Sequence, residues 1–330
     1  MTRTPEERLQ LAKIRLRSIL LKHVIATART LEQKISDAGP FNQRIDPHVL
    51  TKARNQLVSE GKLTRLERNR IPWYHLSDST AAALNRRLRE LEPIHMATQE
   101  HDFTLRAGQA LEIAVLKGLR TQKRLTFFGN FPDLDEHDDS QLYRKEEPPS
   151  SISGLSIRGG RKIDFLLVDG VHGALGLEVK NVREWIYPDR DEIKELIGKC
   201  CDMDAIPVLV ARRIPYVTFS VLYRCGVIFH QNYNQLYPVA DTTLAKKARD
   251  KNLLGYHDLR VGNEPDGRMV AFLQRNLPTL LEGARERFDQ HRASLESYGA
   301  GRMSYVDFSE VISGSRRGRK GGRRGRRRSS

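Results

Sequence analysis

Cysteine is scarce, with three residues in 330: Cys200, Cys201 and Cys225. The number is odd and no C-x-x-C spacing occurs, so neither a disulfide framework nor a structural zinc site is expected, and a reducing compartment fits. No run of about 18 consecutive apolar residues exists, so no membrane span is expected. Met1–Gln10 is charged and carries no apolar core, which argues against a secretory signal, and Glu6 and Glu7 argue against a transit peptide. A phosphate-binding G-x-x-x-x-G-K-[ST] loop is missing, because Gly198-Lys199 lacks the earlier glycine. No G-x-S-x-G elbow is present, so a serine hydrolase is not favoured. No internal repeat is visible.

Basic charge is abundant but uneven. The net charge is +15, and 39% of residues are hydrophobic. Residues 1–95 hold 18 basic and 10 acidic side chains, residues 96–314 hold 29 and 31, and residues 315–330 hold nine basic and no acidic ones. The basicity therefore lies at the two ends of a near-neutral middle. That pattern disfavours a uniformly basic ribosomal-type protein and favours a body with two polyanion-binding ends.

The first segment reads as three helices and a hairpin. Leu9, Leu16, Leu20, Val24 and Ala28 recur at helical spacing from Pro5 to about Ala28. Thr30 with Gln33 is a capping-box signal for a short second helix ending at Gly39-Pro40. Asp46-Pro47 starts a third helix, which stops at Gly61. Val49, Leu50, Ala53, Leu57 and Val58 form its apolar side, with His48, Thr51, Lys52, Asn55 and Ser59 opposite. Lys62–Leu66 and Trp73–Leu76 read as two strands around the basic turn Glu67-Arg68-Asn69-Arg70. This order resembles the winged helix-turn-helix family over roughly residues 8–78. The resemblance implies that the third helix enters a major groove and the hairpin acts as a wing, with Arg44, His48, Lys52, Asn55, Arg68 and Arg70 on DNA. The bland reading of the same residues is a solvated polar face on a dimerisation module. Residues 81–100 read as a helical linker.

The middle, about 101–240, alternates helix and strand. A helix over Phe103–Leu119 precedes strands at Arg124–Phe128, Lys162–Val168, Ala174–Lys180, Pro207–Ala211 and Val227–Phe229. Helices at Asp191–Asp202 and Tyr216–Tyr223 intervene, an α/β pattern with a mixed sheet. Residues 130–160 read as a long loop and 241–314 as a helical C-terminal segment. Residues 315–330 are Arg/Gly/Ser low complexity and are expected to be disordered. Arg316, Arg317, Arg319, Lys320, Arg323, Arg324, Arg326, Arg327 and Arg328 would contact phosphates there without sequence preference.

Chemistry concentrates in two strands around a Gly-containing turn, from Lys162 to Lys180. A turn centred on Val171 pairs residues whose numbers sum to 342, so Asp164 falls opposite Glu178. Glu178 and Lys180 share a strand face. Two carboxylates among Ile163, Phe165, Leu177 and Val179 repel and desolvate one another, and a divalent cation would relieve both costs. Glu112 interrupts an apolar helical stripe of Gly108, Val115 and Leu116, where a lone glutamate is costly.

A glutamate-bearing helix, a strand with aspartate and a hairpin return carrying Glu-x-Lys resemble the PD-(D/E)xK, or restriction-endonuclease-like, nuclease superfamily over about residues 100–240. The resemblance implies that Asp164 and Glu178 ligate Mg²⁺ (or Mn²⁺), that Lys180 is the catalytic lysine and that Glu112 is an accessory acid and ligand. Ile163 stands where the motif name has proline. The expected fold class is thus α+β or α/β: a winged-helix domain (1–80), a helical linker (81–100), a restriction-endonuclease-like mixed-sheet core flanked by helices (101–240), a helical segment (241–314) and a basic tail (315–330). The expected function is a metal-dependent DNA endonuclease of restriction, defence or repair type, cytoplasmic and nucleoid-associated, with DNA, RNA and a second copy of the chain as candidate partners. The rivals are a non-catalytic DNA-binding regulator using a degenerate nuclease-like fold, and an RNA-binding or RNA-processing protein, to which the tail points.

Weaker signals are read as structural. The acidic run Asp133–Asp139 lacks the glycine and glutamate of a calcium loop and reads as solvated. His95 and His101 read as surface residues. Gly170, Gly173 and Gly176 suit a turn and close packing, and Arg212 with Arg213 is as much a surface pair as a phosphate contact.

Overall fold

The computed structural model describes residues 3–37 and 44–321. Among the described residues, helices alternate with several small sheets in a mixed α and β architecture without a barrel. The chain divides into two units, one of Met1–Thr104 with Asp241–Leu259 and one of Leu105–Ala240 with Arg260–Ser330.

In the first unit α1 (Pro5–His23) starts on a full capping box between Thr4 and Glu7. The helix ends earlier than its apolar spacing predicts. Val24 takes a positive φ of 69°, and the β-branched run behind it becomes β1 (Ile25–Thr27). The N-cap of α2 (Ala28–Ile35) is accordingly Thr27, whose hydroxyl accepts from the Thr30 amide; Thr30 is inside the helix. That helix ends at Ile35, with Ser36 as its C-cap, short of the expected end at Gly39-Pro40, which itself lies outside the described residues. Asp46 and Pro47 open α3 (Pro47–Ser59), although the Asp46 carboxylate makes no cap hydrogen bond. β2 (Leu63–Arg68) and β3 (Ile71–Leu76) pair antiparallel through Asn69 and Arg70, both at positive φ as a two-residue type I′ turn requires. β1 adds to β3, giving the sheet order β1-β3-β2. Leu16, Leu20, Leu31, Leu50, Ala53, Leu57 and Leu63 form the core between these helices and the hairpin. α4 (Ala81–Ala97) follows, and its His95 is buried, not on the surface as expected. The ring edge-stacks on Trp73 and lies 3.2 Å from the hydroxyls of Thr27 and Thr30.

The second unit is built on α5 (His101–Arg120) and a five-stranded sheet. β4 (Thr126–Phe128) is shorter than expected. The long loop after it holds a bridge between Asn130 and Glu146 and a small hairpin of β5 (Ser151–Ile152) and β6 (Leu155–Ser156). β7 (Phe165–Asp169) and β8 (Gly173–Lys180) pair in the expected register, Phe165 with Leu177 and Asp169 with Gly173. After α6 (Asp191–Asp202), β9 (Ile206–Ala211) runs parallel to β8. β10 (Ile228–Gln231), reached through α7 (Tyr216–Leu222), runs parallel to β9. The order β10-β9-β8-β7-β4 is therefore a mixed sheet. One face packs on α5 through Leu111, Val115, Phe165, Leu177 and Val179, and the other on α6 through Ile163, Leu166, Leu196 and Cys200. Gly176 is required by this second face, since a Cβ there would lie 2.3 Å from Ile163 Cδ1 and 2.6 Å from Cys200 Sγ.

The C-terminal region is not uniformly helical. α8 (Thr242–Arg249) belongs to the first unit. β11 (Gln235–Tyr237) and β12 (Leu259–Val261) make a two-stranded sheet. The short α9 (Gly267–Ala271) passes through a π-helical stretch, Phe272–Asn276, into α10 (Leu277–Gly299). α10 crosses so close to Gly226 that a Cβ there would sit 2.3 Å from the Ala284 carbonyl oxygen. α11 (Tyr305–Gly321) runs into the segment read as a basic tail. The tail arginines from Arg323 to Arg328 lie outside the described residues.

Candidate active site

The hairpin register brings Asp164 to the point where β7 begins, beside β8. Asp164 Oδ2 accepts the Val179 amide at 2.7 Å, so the side chain is tied to the strand that carries Glu178 and Lys180. Lys180 Nζ donates to Glu178 Oε1 at 2.7 Å. Glu112, on α5, is largely buried, its side chain 16% exposed. Asp164, Glu178, Lys180 and Glu112 are thus drawn into one neighbourhood, close enough for the Asp164 charge to act on both glutamates.

Two lysines that the sequence reading missed complete the group. Lys145 Nζ donates to Glu112 Oε2 at 2.7 Å and to Asp164 Oδ1 at 3.0 Å. Lys199 on α6 donates to both Glu178 oxygens, at 3.1 and 3.0 Å, and to the Lys162 carbonyl at 2.7 Å. Lys199 had a legible signal of the kind that flagged Glu112: it interrupts the apolar face of Ile193, Leu196, Ile197 and Cys200. Lys145 had none, since it sits in a segment without periodicity.

Three ammonium groups thus face three carboxylates, yet the glutamates remain hard to ionise. Burial first, then the Asp164 charge, pushes the Glu112 carboxyl up to about 7 against the pull of Lys145 and Lys180. Burial and Asp164 likewise raise Glu178 despite Lys180 and Lys199. Burial opposes charge on Lys180 too, but Glu178 and Asp164 outweigh it and hold the ammonium above its usual range. Lys180 is therefore a cation at neutral pH. It can orient a water or neutralise a phosphate more readily than it can take up a proton.

Among the described residues no three or more His, Cys, Asp or Glu side chains form a metal-holding group. The donor chemistry nevertheless fits a hard dication. Asp164 and Glu178 supply carboxylate oxygens, the type Mg²⁺ and Mn²⁺ take, and both glutamates lie above their usual range, so additional positive charge is favoured.

The raised Glu112 carboxyl has a consequence for stability. Its folded value lies above the unfolded one, so the folded protein holds this proton more tightly, and stability falls as pH rises from about 4.5 to about 7. Urea unfolding at pH 5 and 7.5 should show wild type losing up to about 3 kcal/mol more than Glu112→Gln across that interval. Parallel pH profiles of the two proteins would refute the assignment.

The expected DNA-contacting residues are placed as follows. His48, Lys52 and Asn55 are exposed on the outer side of α3, while Arg54 is buried with its guanidinium 4.7 Å from the Tyr74 ring centre. Arg68 and Arg70 are exposed at the hairpin tip, Arg68 lying 3.7 Å from Glu92. Arg44 is half-buried.

Other expectations are corrected. In the acidic run, Asp135, Glu136 and Asp138 are exposed as expected, but Asp133 and Asp139 are not. Both are buried, Asp133 accepting the Arg144 amide and Asp139 the amides of Val239 and Ala240. Arg212 is 2% exposed and donates to the Val182 and Arg183 carbonyls, so it is neither a surface residue nor a phosphate contact. Cys200, Cys201 and Cys225 are buried free thiols. No described helix is long and apolar enough to cross a membrane. Compared with protein-family models, curated proteins and solved structures, the chain matches none.

Proposed function

We propose that the chain is a metal-dependent DNA endonuclease of the PD-(D/E)xK type, directed to duplex DNA by a winged helix. The observation that carries this reading is the convergence of Asp164, Glu178 and Lys180 on one hairpin, with Glu112 brought up by the preceding helix. Helix, sheet and hairpin in the order α1-β1-α2-α3-β2-β3, with a polar outer side on α3, support the winged-helix half. Asp164 and Glu178 would hold Mg²⁺ or Mn²⁺, which when bound supplies Lewis acidity at a phosphodiester oxygen and a more acidic water. Lys180 orients the attacking water and offsets phosphate charge, and Glu112 tunes the charge of the site. Purified protein incubated with supercoiled plasmid should cut it with Mg²⁺ and leave it intact in EDTA.

One observation favours a second reading. Every carboxylate of the cluster already has an ammonium partner, the state expected of a nuclease-like core kept for binding alone. No cleavage of plasmid, linear, branched or RNA substrates with either metal, together with metal-independent binding to one sequence, would select this reading. Competition between RNA and DNA at matched salt separates the RNA alternative.

The docking half has its own test. In Ca²⁺, Lys52→Ala and Arg68→Ala should each weaken duplex binding and lower the salt dependence of log K by roughly one unit. Asn55→Ala should mainly reduce discrimination between sequences. Salt slopes unchanged in both charge variants would exclude α3 and the hairpin as the DNA surface.

A further inference from the structure

Lys145 lies on the loop between β4 and β5, and its ammonium sits where opposite charge is most needed, between Glu112 and Asp164. Only 16% of its side chain is exposed. The backbone around it is pinned. Gln109 exchanges two 2.8 Å hydrogen bonds with Tyr143, Asp133 accepts the Arg144 amide at 2.9 Å, and Glu146 is bridged to Asn130 at 2.8 and 3.0 Å. The loop is therefore poorly placed to carry the ammonium away as a unit. The side chain can move alone on its flexible four-carbon stem. It has somewhere to go: Glu147 Oε2 is 3.9 Å from the same nitrogen, while Lys162 takes the other Glu147 oxygen at 3.3 Å, and the Glu147 side chain is 36% exposed, more than twice the exposure of Glu112.

We infer that Lys145 is a resident cation that competes with a divalent metal for Glu112 and Asp164, and that metal binding hands its ammonium outward to Glu147 while the backbone stays in place. This inference rests on the proposed reading that a divalent cation binds at the carboxylates. The physical reason is like-charge repulsion. An ammonium and a dication a few ångströms apart in a buried site repel by more than an exposed pair would, so each weakens the other's hold on Glu112 and Asp164. With Lys145 bound, three carboxylates are balanced by three lysines. Without it, a single negative charge is left over, and the metal meets less competition.

The test is metal binding without DNA, by calorimetry with Mn²⁺, on full-length wild type and Lys145→Met. The variant should bind at least about tenfold more tightly. A second measurement needs no variant. Acetylation footprinting of wild type by mass spectrometry should show Lys145 protected without metal and several times more reactive with saturating Mg²⁺, relative to the exposed Lys52. Equal Mn²⁺ affinities, or metal binding that leaves Lys145 reactivity unchanged, would overturn the inference while the metal site stands. Absence of Mn²⁺ binding in both proteins would remove the metal-dependent reading and the inference with it.

Discussion

Asp164→Asn and Lys180→Ala should each slow Mg²⁺-dependent plasmid cleavage by about 10²–10³-fold or more, with folding retained. Asparagine preserves the size of Asp164 and can still accept the Val179 amide through its oxygen, the contact that ties residue 164 to β8. It cannot supply the negative charge that would hold a dication or that Lys145 now neutralises. The loss should therefore appear in metal affinity and rate more than in unfolding midpoint. Lys180→Ala acts differently. The Lys180 ammonium is paired with Glu178 at 2.7 Å and is held charged, so its removal takes a fixed positive group from where a scissile phosphate would lie. Raising the pH should not rescue the alanine variant, because no proton acceptor has been lost. Lys180→Arg should recover only part of the rate: the charge returns, but a planar fork replaces a compact ammonium. Cleavage by both Asp164→Asn and Lys180→Ala at the wild-type rate would sink the site assignment.

How much of this was legible in the chain depends on whether the determinant was local. The β7–β8 register follows from a short turn and alternating strand faces, so the sequence alone sets Asp164 beside Glu178 and Lys180. Glu112 was legible because a carboxylate in an apolar helical stripe is costly and has to be explained. Lys199 carried the same signal and went unread. Lys145 was not legible at all: its position follows from long-range anchors, Gln109 on Tyr143 and Asn130 on Glu146, that no periodicity reports. The buried roles of Asp133, Asp139, His95 and Arg212 were misjudged for a related reason. Such polar residues look solvated until the groups they meet are known, backbone amides and carbonyls for Asp133, Asp139 and Arg212 and threonine hydroxyls for His95, and those groups come from elsewhere in the chain. The break at Val24 shows the converse error, an apolar spacing continued through a β-branched run that the sheet claimed.

The largest stability effect is expected at Lys199. Its side chain is 5% exposed and donates to both oxygens of Glu178, whose side chain is 7% exposed, and to the Lys162 carbonyl. Lys199→Met keeps the volume of the stem against the apolar face of α6 but leaves Glu178 with Lys180 alone and the Lys162 carbonyl without its donor. Breaking one side of a buried ion pair costs about 3–5 kcal/mol, because the remaining charge stays desolvated. Denaturant unfolding at pH 7.5 should register a loss of that size. Burial already raises the Glu178 carboxyl above its usual value, and without Lys199 it rises further. Such a group destabilises the fold above the unfolded value of about 4.5 and ceases to do so below it, so the deficit of Lys199→Met should shrink as pH falls toward 4.5. The double variant Lys199→Met with Glu178→Gln should be less destabilised than the sum of the singles, since the orphaned charge is removed with its partner. Saturating Mg²⁺ should restore part of the stability of Lys199→Met and none of that of the double variant, because a ligand that binds only the folded site stabilises by mass action and the double variant has lost a carboxylate donor. A Lys199→Met protein within about 0.5 kcal/mol of wild type at pH 7.5 would show that Lys180 alone neutralises Glu178. The carboxylate cluster would then tolerate one fewer ammonium than its geometry provides.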